Sequence, residues 1–342
     1  MKTMKAAVFE GNGILQYKDV PVPTVQREND VLVQVEAASI CGSDLHILSV
    51  PPGQRGDPGT IMGHEFVGRV AQIGTGVTLV RPGDRIVVEP NISCGMCRSC
   101  RSGHPNLCEN AENIGQWRNG GFAEYCVLPE QQLHHIPEDI PAKIAALCEP
   151  LSCVMHGMMR LNPMPFERVV LFGAGAIGLI FLKLLKAFGV KHIIVCESIA
   201  DRAATAIKFG AEYVFDPNCE GGLSEKIMSV WGVPANIAID AVGAGAVLES
   251  AMTLVVNGGK ILVFGQNMTQ QSTIRPGMIN AKEINIFAAL AVHHSFPPAI
   301  ELLPDLGLEE LVTCELPLSK IDEAIALTRE KKAIKAVVYP GK

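Results

Sequence analysis

The chain has 342 residues, 48% of them hydrophobic and 19% charged, with a net charge of −6. That balance describes a folded globular protein too long for a single core, and it excludes the basic face that a nucleic-acid binder needs. The longest uncharged apolar run, Val169 to Leu182, is broken by Gly173, Gly175 and Gly178 and is too short to span a bilayer.

The N-terminal MKTMKAAVFE has lysines but no apolar stretch behind them, so no secretory leader is expected. Eleven cysteines in such a chain predict a reducing, cytoplasmic setting, with thiols serving as metal ligands, reactive groups or core fillers.

The first half reads as β-rich, with runs such as VLVQVEAASI and RIVVEP separated by Pro-Gly turns. Cys41-Gly-Ser43-Asp-Leu-His46 follows the first of these, and Gly63-His64-Glu65 comes soon after. Cys94, Cys97, Cys100 and Cys108 then crowd one loop with C-x2-C-x2-C-x7-C spacing. Four thiolates at that spacing can saturate a tetrahedral Zn²⁺, which predicts a structural ion with no open position. An iron–sulfur cluster also uses close cysteines, but no second cluster or flavin signal accompanies these. Cys148-Glu149-Pro-Leu-Ser152 ends the β-rich part. Cys41, His64 and the two glutamates supply thiolate, imidazole and carboxylate, the ligand types that zinc accepts.

After the turn-rich LNPMPFERV the pattern changes to alternating strand-like and helix-like segments, from VVLF at Val169 to EINIFAAL. Such alternation predicts a doubly wound parallel sheet with helices on both faces. Gly173-Ala-Gly175-Ala176-Ile177-Gly178 follows the first strand and opens a helix, the context required of a pyrophosphate-binding turn. Glu197 closes the next strand, HIIVCE, where a carboxylate accepts hydrogen bonds from the adenosine ribose and repels a 2′-phosphate, favouring NAD over NADP. Arg202 would lie over the adenine or soften that preference, and Gly265, ending KILVFG, is assigned to the same cofactor. The tail from about Pro297 ends in a strand-like KAVVYP that could rejoin the first part.

CGSDLH, GHEFVGRVAQIG, the four-cysteine loop, GGFAEY and GAGAIG, in that order, resemble the zinc-containing medium-chain alcohol dehydrogenases, and EPLS is similar to their polyol (sorbitol) dehydrogenase branch. The resemblance implies an α/β protein. A GroES-like catalytic domain would be built from residues 1–160 and 297–342, with a Rossmann domain, 161–296, between them and the active site in the cleft. It implies catalytic zinc on Cys41, His64 and a glutamate, Glu65 or Glu149, where the alcohol-dehydrogenase branch has a cysteine aligned with Glu149. Ser43 and His46 would relay the proton. It further implies hydride exchange between NAD and a secondary hydroxyl of a small polyol or sugar-like molecule, in a homodimer or homotetramer. Three other readings stand beside it: a threonine-type amino-alcohol dehydrogenase, a sugar- or polyol-phosphate dehydrogenase that uses Arg55 or Arg118, and a non-catalytic NAD-binding scaffold. A zinc-free quinone reductase is argued against by the retained ligands.

Overall fold

The computed structural model describes residues 2–341 and divides into two compact units, Met1–Ser152 with Ala291–Lys342, and Cys153–Leu290. The division falls inside one continuous helix, Cys148–Leu161.

The first unit is β-rich. Thr3–Gly11 and Ile14–Pro21 form a hairpin across Asn12-Gly13, both with positive φ (48° and 75°), as a tight two-residue turn requires. The main sheet has seven strands. Its order is Val312–Pro317, Lys335–Tyr339, Asp30–Ser39, Glu65–Ile73, Arg85–Val88 and Leu133–His135, with Tyr125–Pro129 also paired to Asp30–Ser39. Val33, Val35, Phe66, Ile86, Phe122 and Val338 are buried together on it. The KAVVYP segment thus joins the first unit as a strand antiparallel to Asp30–Ser39.

The second unit is a six-stranded, all-parallel sheet. Its order is Tyr213–Phe215, His192–Cys196, Arg168–Phe172, Ala235–Asp240, Val255–Val263 and Asn285–Ala288, which in chain order is 3-2-1-4-5-6. That is the doubly wound dinucleotide arrangement, and ligands of such sheets bind beyond the carboxyl ends of the strands. The central strands RVVLF and HIIVC are apolar on both faces because helices cover both sides. One helix, Pro276–Lys282, was not anticipated from the sequence. None of its residues is fully buried, and only Met278 and Ile279 pack against the core, adjacent positions that make no helical stripe to betray it. Among the described residues no helix is long and apolar enough to cross a membrane.

Candidate metal centre and cofactor turn

Strand register assembles the first cluster. Ser39 lies opposite Glu65 on one side and Val337 on the other, and the Ile40 amide bonds to the Ala336 carbonyl. Side chains two apart along a strand share a face, so Ser39 and Cys41, Glu65, and Val337 and Lys335 fall on one side of the sheet. Cys41 comes two residues after the strand and caps the short helix Gly42–Ile47, its amide donating to Asp44 Oδ2 at 2.9 Å.

Donor atoms of Cys41, His64 and Glu65 all lie within 4.8 Å of one another, close to the spacing of ligands on one small cation. His64 Nδ1 and Asp44 Oδ1 are buried, lack hydrogen-bond partners and stand 3.7 Å apart. A slight ring movement would make an Nδ1–H···Oδ1 bond and leave the Nε2 lone pair for a metal, the usual way an outer carboxylate fixes a ligating imidazole. Burial opposes a charged imidazole here, yet the Cys41 thiol, Asp44 and Glu149 outweigh it and raise the His64 pKa well above its ordinary value. The pocket therefore favours a cation, and these residues fit a divalent ion.

Glu65 is fully buried, and both its oxygens are taken up. Lys335 Nζ lies 2.5 Å from Oε2 and 2.8 Å from Oε1, and the Ser39 hydroxyl donates to Oε2. Glu149 sits at 8% exposure in the first turn of its helix, near enough to act on the charge of both His64 and Lys335. Ser39 Oγ also reaches the Ala146 carbonyl at 3.3 Å, which draws that region toward the sheet. Ser43 Oγ is 3.4 Å from His64 Nε2, and His46 follows three residues later on the same helix face.

The four cysteines form the second cluster, again with all sulfurs within 4.8 Å. Cys97 caps the one-turn helix Arg98–Arg101 and its sulfur accepts the Cys100 amide. Cys94 and Cys108 accept the Cys97 and Cys94 amides at 3.3 Å. Amide donors at Met96 and Cys97 pull the Cys94 thiol down to about 6, while desolvation and the neighbouring thiols push Cys100 up to about 12. Four sulfurs this close fit one Zn²⁺, which would hold all four as thiolates. Neither Arg98–Arg101 nor Pro105–Leu107 buries a residue, and Met96 is 70% exposed, so this lobe lacks a core of its own.

In the second unit, Gly173 adopts φ 93°, and a Cβ on Gly178 would lie 1.9 Å from the Gly173 carbonyl, so strand and helix can meet only with glycine there. The helix Ala176–Ala187 has Gly175 as N-cap and no side-chain cap, leaving its first amides, Ala176 and Ile177 among them, open to an anion. Glu197 reaches this turn: Oε2 accepts the Ala174 amide at 2.8 Å, and Oε1 accepts those of Ser198 and Ile199. The Arg202 guanidinium lies 3.6 Å from where a Gly175 Cβ would be. Gly265, beyond the Val255–Val263 strand, donates to the Asp240 carbonyl.

Three residues here went unnoticed in the sequence. Asp44 carried a signal, since its spacing from Cys41 is that of a capping box. Asp240, whose carboxylate accepts the Val242 and Gly243 amides at the carboxyl edge of the sheet, was marked only by the Asp-x-x-Gly after an apolar run. Lys335 was visible as a lone charge opening an apolar strand.

Thiolate, imidazole and carboxylate converging in a β-rich unit, in a chain that also carries a 3-2-1-4-5-6 dinucleotide sheet, define a metal-dependent, nicotinamide-linked dehydrogenase. Residues 27–138 match the model of the alcohol dehydrogenase GroES-like domain and residues 176–305 that of the zinc-binding dehydrogenases. The chain belongs to the zinc-containing medium-chain alcohol dehydrogenase family. It is 31% identical to sorbitol dehydrogenase of Bacillus subtilis strain 168, over 100% of this chain and 98% of the relative. It is 33% identical to L-threonine 3-dehydrogenase of Xanthomonas axonopodis pv. citri, over 98% and 99%. Among solved structures, the RspB alcohol dehydrogenase of Escherichia coli CFT073 complexed with NADH superposes with TM-score 0.92, at 30% identity, over 99% of this chain and 100% of that one. A neighbour from Sinorhizobium meliloti 1021 bound to NADP gives 0.93 at 29% identity, with the same coverage.

Proposed function

We propose that this protein is a zinc-dependent polyol dehydrogenase that passes hydride from a secondary hydroxyl to NAD. The observation that carries the reading is the Cys41–His64–Glu65 cluster, whose carboxylate-rich surroundings include Glu149. When bound, zinc supplies the Lewis acidity that lowers a hydroxyl's pKa, and the nicotinamide supplies the hydride acceptor.

The chain's own residues do the rest. Cys41, His64 and a glutamate would hold the ion, with Asp44 fixing the imidazole. Ser43 would take the substrate's proton and His46 would carry it outward. Glycines 173 to 178 and the open helix start would bind the pyrophosphate, and Glu197 would read the adenosine ribose. The preference for NAD rests on the Glu197 carboxylate.

Arg55 is bonded in bidentate fashion to Asp57 and stacked over Trp117 at 4.7 Å, while Arg118 faces Glu112 at 3.3 Å. Both guanidinium groups are already matched to carboxylates, which supports an unphosphorylated substrate. Asn285–Ala288 lies at the edge of the parallel sheet with Ile286 41% exposed, which supports a homodimer formed through that edge. Eleven free thiols support a cytoplasmic setting.

The decisive measurement is NAD reduction by the zinc-loaded protein over polyols, polyol phosphates, L-threonine and simple secondary alcohols, with NADP in parallel. The highest kcat/KM should fall to an unphosphorylated polyol with NAD. Turnover confined to threonine or to phosphates would defeat the substrate assignment, and no turnover with any alcohol would defeat the enzyme. Replacing His46 with Gln should lower kcat roughly tenfold near neutrality and alter its pH profile. A rate unchanged across that range removes His46 from the proton path.

A further inference from the structure

Three histidines outside both ligand clusters meet on the surface of the first unit. The His293 ring stacks on that of His104 with centroids 5.7 Å apart, and the His294 ring lies 4.6 Å from that of His293, tilted by 60°. Successive side chains of an extended chain point apart. Here His294 takes φ 53°, in the left-handed region, and its ring folds back on the one before it. His104 comes from the cysteine lobe, just ahead of the turn Pro105–Leu107, and the other two come from the segment by which the chain re-enters this unit at Ala291. Packing gives little reason for the meeting, since His104 and His294 are exposed and His293 is only half-buried.

The hydrogen bonding of His293 is that of a metal ligand. Its Nε2 is 2.7 Å from the Gly103 carbonyl oxygen, which can only accept, so the ring proton sits on Nε2 and Nδ1 carries the lone pair of the neutral ring. A backbone carbonyl on one imidazole nitrogen is a usual partner of a histidine whose other nitrogen holds a metal. His104 is rooted as well: its amide donates to the Ser99 carbonyl at 2.9 Å, and its carbonyl accepts the Leu107 amide at 3.0 Å. We propose that His104, His293 and His294 form a third metal site, for a divalent transition cation of the zinc or nickel type, and that the ion clasps the cysteine lobe to the segment beginning at Ala291.

The three rings are not gathered as tightly as the donor atoms of the two clusters, and stacked imidazoles do not share an ion as they lie. Metal–nitrogen bonds of about 2.0–2.1 Å bring ligating nitrogens within roughly 4 Å of one another. The movement asked for is a turn of the exposed His104 and His294 about their side-chain bonds, on the picosecond-to-nanosecond scale. Three neutral imidazoles hold an ion more loosely than four thiolates, so this site fills and empties with metal supply. It shares no residue with the metal centre or the cofactor turn, and it stands apart from the enzymatic reading.

The test uses the full-length, tag-free protein loaded with zinc, and nickel as the probe, because Ni²⁺ takes imidazole readily and leaves the eleven thiols unoxidised. Equilibrium dialysis with metal analysis should find one Ni²⁺ per chain at unchanged zinc content. His293→Gln, His104→Gln and His294→Gln should each weaken nickel binding about tenfold or more. His134 and His135 are the control, another adjacent pair, whose Nε2 atoms face Glu89 and the Leu79 carbonyl. Their double Gln variant should keep the nickel affinity within about twofold. Trypsin cuts after Arg98 and Arg101, both exposed in the lobe, and saturating Ni²⁺ should slow those cuts at least about threefold in the parent and not in His293→Gln. Four results overturn the proposal: no nickel bound, nickel bound in full by His104→Gln, nickel lost equally in the control, or nickel bound without slowing the cuts. If His293→Gln fails to fold by circular dichroism, His104→Gln, altered only at an exposed side chain, is read by the same criteria.

Discussion

Cys41→Ser, and separately His64→Ala, should each remove the ion of one of the two ligand clusters and lower turnover on the order of 10³-fold or more. The loss should be chemical, not structural. The Cys41 contact that shapes the helix start is its backbone amide on Asp44, which serine keeps. Glu65 retains Lys335 and Ser39 in either variant, but His64→Ala takes the facing imidazole from buried Asp44, so Cys41→Ser is the cleaner test. Metal content by mass spectrometry, near-ultraviolet circular dichroism and kcat on the same preparation check this together. Full activity in a Cys41→Ser protein that has lost an ion would end the case for metal-assisted chemistry at this cluster.

Cys97→Ser is expected to act on the fold alone. The segment from Cys94 to Cys108 buries nothing in its two helical turns, so its order would come from amide–sulfur bonds and the cation that the four sulfurs could hold. With one thiolate gone, the ion should leave and the lobe should open, raising proteolytic cleavage within it about a hundredfold where cleavage tracks the open population. His293, whose Nε2 is 2.7 Å from the Gly103 carbonyl and whose ring stacks on His104 at 5.7 Å, gives the lobe one remaining anchor. Peptide mapping of short digests locates the cuts. Unchanged protection of residues 94–108 would show that the lobe holds without metal.

Much of the architecture was legible because it is periodic. Alternation of VVLF, HIIVC and NIAID with amphipathic runs announces a parallel sheet, and GAGAIG fixes which strand comes first. The four-cysteine loop was equally open, its members lying within a few residues of one another. The first cluster was harder. Cys41 and His64 are far apart in the chain, and only the pairing of Ser39 with Glu65 brings them together. Family resemblance supplied the ligands; composition and spacing alone gave only their chemical types. The partner of Lys335 was beyond reach, because a contact 270 positions apart is set by how the last strand docks. The Pro276–Lys282 helix escaped for the opposite reason, being local but touching the core only through Met278 and Ile279.

The first unit is discontinuous, and this bears on biosynthesis. Its sheet receives Lys335–Tyr339 beside Asp30–Ser39 only after the ribosome has made all of residues 153–290. A nascent chain halted before that strand presents Glu65 without its ammonium partner, in a half-built sheet with an open flank. The continuous second unit has every strand it needs by then and can fold first. The Glu65–Lys335 pair beside Cys41 and His64 is therefore completed only once the closing strand has been made.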